Sequence, residues 1–285
     1  MSTESSSPER SLRSWVASEL GARIASAVIL GIIALLTAYQ GGWPFALFWL
    51  LGGVAVACEW VAMTRIEPCR TAQIVLALGV SALTTAYLSS IGATGTFVVN
   101  AAAVAAALIV VRTGRDRLWI VIGFFCSAVV AMVPPVVRDD PALGIVGLLW
   151  MFAVVWSTDI AAYFTGRRLG GPKLWPQVSP KKTWSGFVGG LIAGTTAGAV
   201  VTALAARLGW NPVAGMMPVI IISAAASVVS QLGDLAESAL KRHFGVKDSS
   251  QVIPGHGGVM DRLDGFWAVS VLVGAMLAVA QLARS

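Results

Sequence analysis

The chain has 285 residues, of which 56% are hydrophobic and only 12% charged, with a mean hydropathy of +0.78. Soluble domains carry about 25% charged residues, so a water-soluble globule is excluded, and no period-two alternation marks a membrane β-barrel. The net charge of +6 gathers on no soluble domain or basic face, which excludes nucleic acid as the expected partner.

Residues 1–22 are polar, rich in Ser, Glu and Arg, and read as a tail or short surface helix. Apolar runs then predict nine membrane-spanning helices, at 24–39, 43–63, 71–88, 91–111, 118–137, 142–164, 186–206, 214–237 and 264–283. The expected fold is all-α: a polytopic helical bundle, with N-terminal spans over 23–140 and a C-terminal region over 141–285. The first run follows a long tail and precedes eight more, so it reads as an uncleaved anchor and not a signal peptide. No repeat of fixed period is visible. Cys58, Cys69 and Cys126 show no metal-ligand spacing and read as small core-filling residues. Small residues in "GGLIAGTTAGAV", 189–200, permit close helix packing, within the chain or in a homodimer.

Nine spans put every Lys and Arg except Arg138, Arg207 and Arg284 on the side of the N-terminus. Basic residues concentrate on the cytoplasmic side of membrane proteins. The N-terminus is therefore expected in the cytoplasm and the C-terminus outside, across the cell's inner membrane. The same cationic face suits anionic membrane lipid and phosphates.

Acidic residues inside apolar runs are costly unless paired or hydrated. Glu59 falls inside the second run, where a bond to a neighbouring helix would satisfy it. Asp159 lies near the end of the sixth run, and Asp234 and Glu237 close the eighth. "GGVMDRLDGFW", 257–267, sets Asp261, Arg262 and Asp264 at the mouth of the ninth. Asp261 and Asp264, three apart, project from one helix face, and Asp234, Ser238 and Lys241 line one stripe of the eighth span. Two acidic stripes at one membrane level can hold a divalent cation, and Mg2+ takes one or two carboxylates with waters and phosphate oxygens. Asp234, Asp261 and Asp264 are therefore the expected metal ligands, for Mg2+ and for any second cation. Lys241, Arg242, Lys247 and Arg262 are expected phosphate ligands, together with the open backbone N–H groups of Gly257 and Gly258. The basic loop 159–190 carries five cations, Lys182 among them, and no acid after Asp159. It is expected to form a second wall of the same anion site.

"SALKRHFGVKDSSQVIPGHGGVMDRLD", 238–264, resembles the signature of the phosphatidate cytidylyltransferase (CDP-diacylglycerol synthase) family. Ser238, Lys241, Arg242, Lys247, Asp248, Pro254, His256, Gly257, Gly258, Asp261, Arg262 and Asp264 fall in register with it. "GDLAES", 233–238, and "SPKKTWSGFVGG", 179–190, resemble two further family segments, and Asp159 to Tyr163 a fourth, from which Ile160 and Ala161 depart. The likeness covers about 150–285, with "CEW" at 58–60 as a lesser match. It implies an enzyme that joins CTP and phosphatidate, with Mg2+, to give CDP-diacylglycerol and pyrophosphate in phospholipid synthesis. It implies catalytic roles for Asp234, Lys241, Asp261 and Asp264, and substrate-binding roles for Lys182, Ser238, Arg242, Lys247, Asp248, His256, Gly257, Gly258 and Arg262. Two other readings are a CDP-alcohol phosphatidyltransferase and a membrane transporter. "DRLDGFW" supplies only one carboxylate pair of the former's longer run, and the one-sided charges and lack of repeats speak against the latter.

Overall fold

The computed structural model describes residues 28–210, 215–252 and 257–283. Nine helices run through them: α1 (Val28–Gln40), α2 (Gly42–Thr64), α3 (Cys69–Leu88), α4 (Gly92–Val110), α5 (Gly114–Asp139), α6 (Gly144–Leu169), α7 (Trp184–Arg207), α8 (Met216–His243) and α9 (Met260–Leu282). α2 to α9 are each long and apolar enough to cross a membrane, and α1 is a shorter apolar helix. The chain is a multi-pass membrane bundle, as its apolar runs require. The tail 1–22 and the start of the first expected span lie outside the described residues.

Four boundaries differ from those expected by four residues or more, all at charged ends. α5 begins at Gly114, α6 runs on to Leu169, α8 to His243, and α9 begins at Met260. Hydropathy ends where charge begins, but helical hydrogen bonds are made by the backbone and continue through polar residues. Arg167 and Arg168 in the last turn of α6, and Lys241, Arg242 and His243 in that of α8, suit the negative end of the helix dipole. Beyond α6, strands β1 (Lys173–Trp175) and β2 (Ser179–Thr183) form an antiparallel hairpin, with Lys173 opposite Thr183. Pro172, Pro176 and Pro180 exclude helix there but are tolerated at strand edges. The hairpin is a local exception to an otherwise helical fold.

α6 packs on α7, α7 on α8 and α8 on α9, while α9 meets α5, and α5 meets α2. α3 and α4 continue outward from α2, and α4 buries only Ala103 and Ala107. Trp49 of α2 stacks on Phe266 of α9 at 4.9 Å and on Phe152 of α6 at 6.3 Å. Lipid offers apolar side chains no hydrophobic gain, so close contact and hydrogen bonds must join helices. α7 supplies the contact with Gly186, Gly190, Gly194 and Gly198, four apart and buried. A Cβ at Gly194 would lie 2.1 Å from Thr158 Oγ1, so only glycine lets α6 come this close. Thr158 and Ser227 share a hydrogen bond of 2.8 Å across α6 and α8, and Trp150 Nε1 donates to Ser223 Oγ at 2.8 Å. This seam carries Asp159, the hairpin and Asp234 to one end of the bundle.

Candidate active site

The hairpin delivers Lys182 to α8. Its Nζ lies 2.5 Å from Asp234 Oδ2, so the second basic loop and the signature helix meet at this pair. Thr183 holds the junction: as N-cap of α7 its hydroxyl accepts from Gly186 N at 3.1 Å. Ser238 Oγ donates to Asp234 Oδ1 at a long 3.5 Å. Asp159 from α6 and Asp264 from α9 stand close enough to act electrostatically on Asp234 and on each other, and both feel Lys182.

Two turns along α8, Lys241 joins a second group. Its Nζ is 3.2 Å from Glu237 Oε1 and 2.5 Å from Asp261 Oδ1. The other Asp261 oxygen accepts from Ser249 N at 2.9 Å, Ser249 Oγ at 3.0 Å and Gly258 N at 2.9 Å. Asp261 is thus held by the protein at both oxygens. The structure separates the three carboxylates expected around one cation. Asp234 and Asp264 stand with Asp159, whereas Asp261 locks the signature loop to α8. The physical reason is the early start of α9. In its first turn Asp261 folds back onto the loop N–H groups that precede the helix, as capping side chains do, and Asp264 falls one turn further in. Among the described residues no three His, Cys, Asp or Glu side chains group as a metal centre.

Arg242, Lys247, Asp248 and Arg262 are exposed. Arg242 Nη1 donates to Val246 O at 3.4 Å, just past the end of α8. Gly257 adopts φ +83°, a left-handed conformation natural to glycine. A Cβ on Gly258 would lie 1.9 Å from Ser249 Oγ and 2.5 Å from Glu59 Oε2. His256 lies outside the described residues.

Two cavities adjoin the Asp234 group. One, of about 690 Å³, lies between α6, the hairpin, α7 and α8 and carries several charged side chains. Arg167, Lys173, Lys181 and Lys182 line it with Asp159 and Asp234. The other, of about 810 Å³, is an apolar groove walled by α1, α2, α6 and α9, including Trp49, Trp156 and Phe266. Its charged lining residues are Asp159 and Arg262. Asp159 therefore borders both, at the place where a cationic chamber meets a greasy one.

A model of the cytidylyltransferase family matches residues 21–280. The chain belongs to that family. A phosphatidate cytidylyltransferase of Brucella melitensis is 41% identical over 263 residues, which cover 90% of this chain and 92% of that protein. That of Bacillus subtilis is 43% identical over 142 residues, 50% of this chain and 51% of its own. That of Haemophilus influenzae is 47% identical over 132 residues, 45% of this chain and 44% of its own. These likenesses favour neither a CDP-alcohol phosphatidyltransferase nor a transporter.

In this cytidylyltransferase, sequence reasoning left three participants out of the site. Glu237 bridges the two charge groups, acting on both Asp264 and Asp261. Asp159 borders both cavities. Glu59, from the N-terminal half, accepts hydrogen bonds from Ser249, Ser250, Val259 and Met260. A carboxylate inside an apolar run was the available signal for Glu59, but nothing in the run itself named its partners.

Proposed function

We propose that this cytidylyltransferase carries CTP in the cationic chamber and phosphatidate in the apolar groove, and joins them beside Asp159 to give CDP-diacylglycerol and pyrophosphate. The observation that carries this reading is the shared border at Asp159. A nucleoside triphosphate needs cations, two acyl chains need an apolar wall, and the two reacting phosphates must meet where those surfaces join. Both cavities fall within the size range of small-molecule sites, about 300–1,000 Å³.

A phosphatidate oxygen attacks the α-phosphorus of CTP. The new P–O bond forms as the bond to the β-phosphate's bridging oxygen breaks, and pyrophosphate leaves with that electron pair. A phosphate monoester's second pKa is about 6, so the attacking oxygen is largely ionised near neutral pH and needs no base. The protein's work is placement and charge neutralisation. Lys182, with Lys173, Lys181 and Arg167, holds the triphosphate and meets the charge that grows on pyrophosphate. Arg262, at the groove, is placed for the phosphatidate headgroup. Lys241 and Asp261 tie α8 to α9 and keep Asp264 within electrostatic reach of Asp234.

Mg2+ fits this donor set. Asp234, which lines the chamber, and Asp264, within its electrostatic reach, offer two hard carboxylates, a number that Mg2+ uses with waters and phosphate oxygens completing its shell; Asp261, already bonded at both oxygens, is the less suited of the three expected ligands. Bound there, Mg2+ would neutralise phosphate charge and orient the reacting oxygens. The cation-rich end of the bundle is proposed to face the cytoplasm of the cell membrane, where CTP is found.

The test is product analysis with the full chain in detergent. Pyrophosphate should appear only when CTP and phosphatidate are both supplied, together with a cytidylylated lipid. No pyrophosphate, or release independent of the lipid, would remove the reading. Release of CMP from CDP-diacylglycerol and an alcohol would replace it with the phosphatidyltransferase one.

A further inference from the structure

Glu59 lies in the C-terminal part of α2, 3% exposed. Its Oε1 accepts from Ser250 Oγ at 2.7 Å and Val259 N at 2.8 Å. Its Oε2 accepts from Ser249 Oγ at 2.9 Å and Met260 N at 2.8 Å. Each oxygen thus grips both ends of one segment: Ser249 and Ser250 where it leaves α8, Val259 and Met260 where it enters α9. Val259, the N-cap of α9, makes no side-chain cap of its own. A helix start leaves backbone N–H groups without intrahelical partners and favours negative charge. Here that charge comes from another helix, 200 residues earlier in the chain.

We propose that Glu59 is a positioning residue for the reaction: it staples Ser249 and Ser250, at the exit from α8, and Val259 and Met260, at the entry to α9, to α2 and thereby sets the first turn of α9, from which Asp261 reaches Lys241 and Asp264 comes within electrostatic reach of Asp234. The close fit at Gly258 belongs to the same device, since a side chain there would strike Ser249 Oγ and Glu59 Oε2 together. Asp261 grips the same segment from the other side through Ser249 and Gly258. Neither Glu59 nor its partners line the cationic chamber, so the staple acts on the geometry of α9 and not on nucleotide capture. The proposal rests on the assignment of α8 and α9 to the catalytic site.

The closing experiment compares Glu59→Gln, Glu59→Asp and a Ser249→Ala/Ser250→Ala double variant with the full-length wild type in detergent. Gln keeps the shape, but its NH2 group must face one of the two backbone N–H donors. Tryptic cleavage after Arg242, Lys247 or Arg262 should quicken at least about tenfold in Glu59→Gln, while cleavage at Arg65 and Arg112 stays at the wild-type rate. Turnover of CTP should fall about 30-fold, with KM for CTP within about threefold of wild type, a loss of about 2 kcal/mol by the usual rate conversion. Glu59→Asp keeps the charge and should recover part of both effects. The double serine variant retains the carboxylate and should show a milder change in the same direction, which keeps the test open if Glu59→Gln fails to fold. Thr84→Ala, a buried change in α3 far from the site, controls for general destabilisation and should leave the 242–262 pattern unchanged. A Glu59→Gln chain that resists trypsin there like wild type, whatever its turnover, overturns the proposal. The proteolysis arm needs no catalysis, so a wild type without pyrophosphate release sinks the activity reading while leaving the staple to be judged on cleavage alone.

Discussion

Replacing Lys182 with Met removes one charge and keeps most of the side chain's length. In the structure its Nζ stands 2.5 Å from Asp234 Oδ2, with 25% and 32% of the two side chains exposed. A pair this open to solvent contributes about 1 kcal/mol or less to stability, because water screens it and two flexible side chains must be ordered. Lys182→Met should therefore fold and insert, with only a small fall in thermal midpoint. Its effect on catalysis should be larger. Asp159, Asp234 and Asp264 lose the ammonium they share, and the leaving pyrophosphate loses a charge partner. Removing one preorganised charge-stabilising group typically costs about 100-fold in kcat, about 2.7 kcal/mol. Pyrophosphate release from CTP and phosphatidate in detergent measures this directly. Lys182→Arg keeps the charge and should stay within about tenfold of wild type. Turnover in Lys182→Met within about threefold of wild type would refute the reasoning and reduce the Lys182–Asp234 pair to a structural link between the hairpin and α8.

Three further outcomes are expected. Gly258→Ala should lower the thermal midpoint by an amount equivalent to roughly 1.5–3 kcal/mol, the value of one charge-assisted hydrogen bond, since its Cβ displaces Ser249 Oγ; adding Ser249→Ala should restore part of the loss by removing the atom it strikes. Gly194→Ala should destabilise the α6–α7 contact by about 1–3 kcal/mol through overpacking, measured by thermal unfolding in detergent, and Thr158→Ala on the same chain should recover part of it. A reporter fused after Ser285 should signal from the outer side of the membrane; a cytoplasmic signal would overturn the proposed nine-span orientation.

The apolar runs were legible because lipid sets a minimum length of hydrophobic helix, and eight of the nine expected segments coincide with long helices to within a few residues except at charged ends. Those ends were misjudged because hydropathy reports side chains while the helix is closed by its backbone. The hairpin at 173–183 was hidden by its prolines, which argue against helix without specifying what replaces it. Within the site, "GDLAES" and "VMDRLD" singled out Asp234, Asp261 and Asp264, and helical spacing put the last two on one face. Spacing could not say that α9 begins at Met260, and this is what turns Asp261 back toward Ser249 and Gly258 and leaves Asp264 one turn further in. Glu59 was conspicuous alone, but a contact between positions about 200 apart in the chain has no local trace in either segment.

Chain order also gives the Glu59 contact a consequence during biosynthesis. α2 enters the membrane long before residues 249–260 have been made, so its carboxylate arrives without any of the four donors that later surround it. An acid inside an apolar helix is costly until it is paired or hydrated, and α2 must carry that cost or sit shallow until the last helix is threaded. The final helix therefore completes two things at once, the proposed catalytic carboxylates and the counterpart of an acid inserted at the beginning. A nascent chain stopped before Ser249 is expected to hold α2 only loosely, and a quality-control protease would find in that helix a mark of an unfinished molecule.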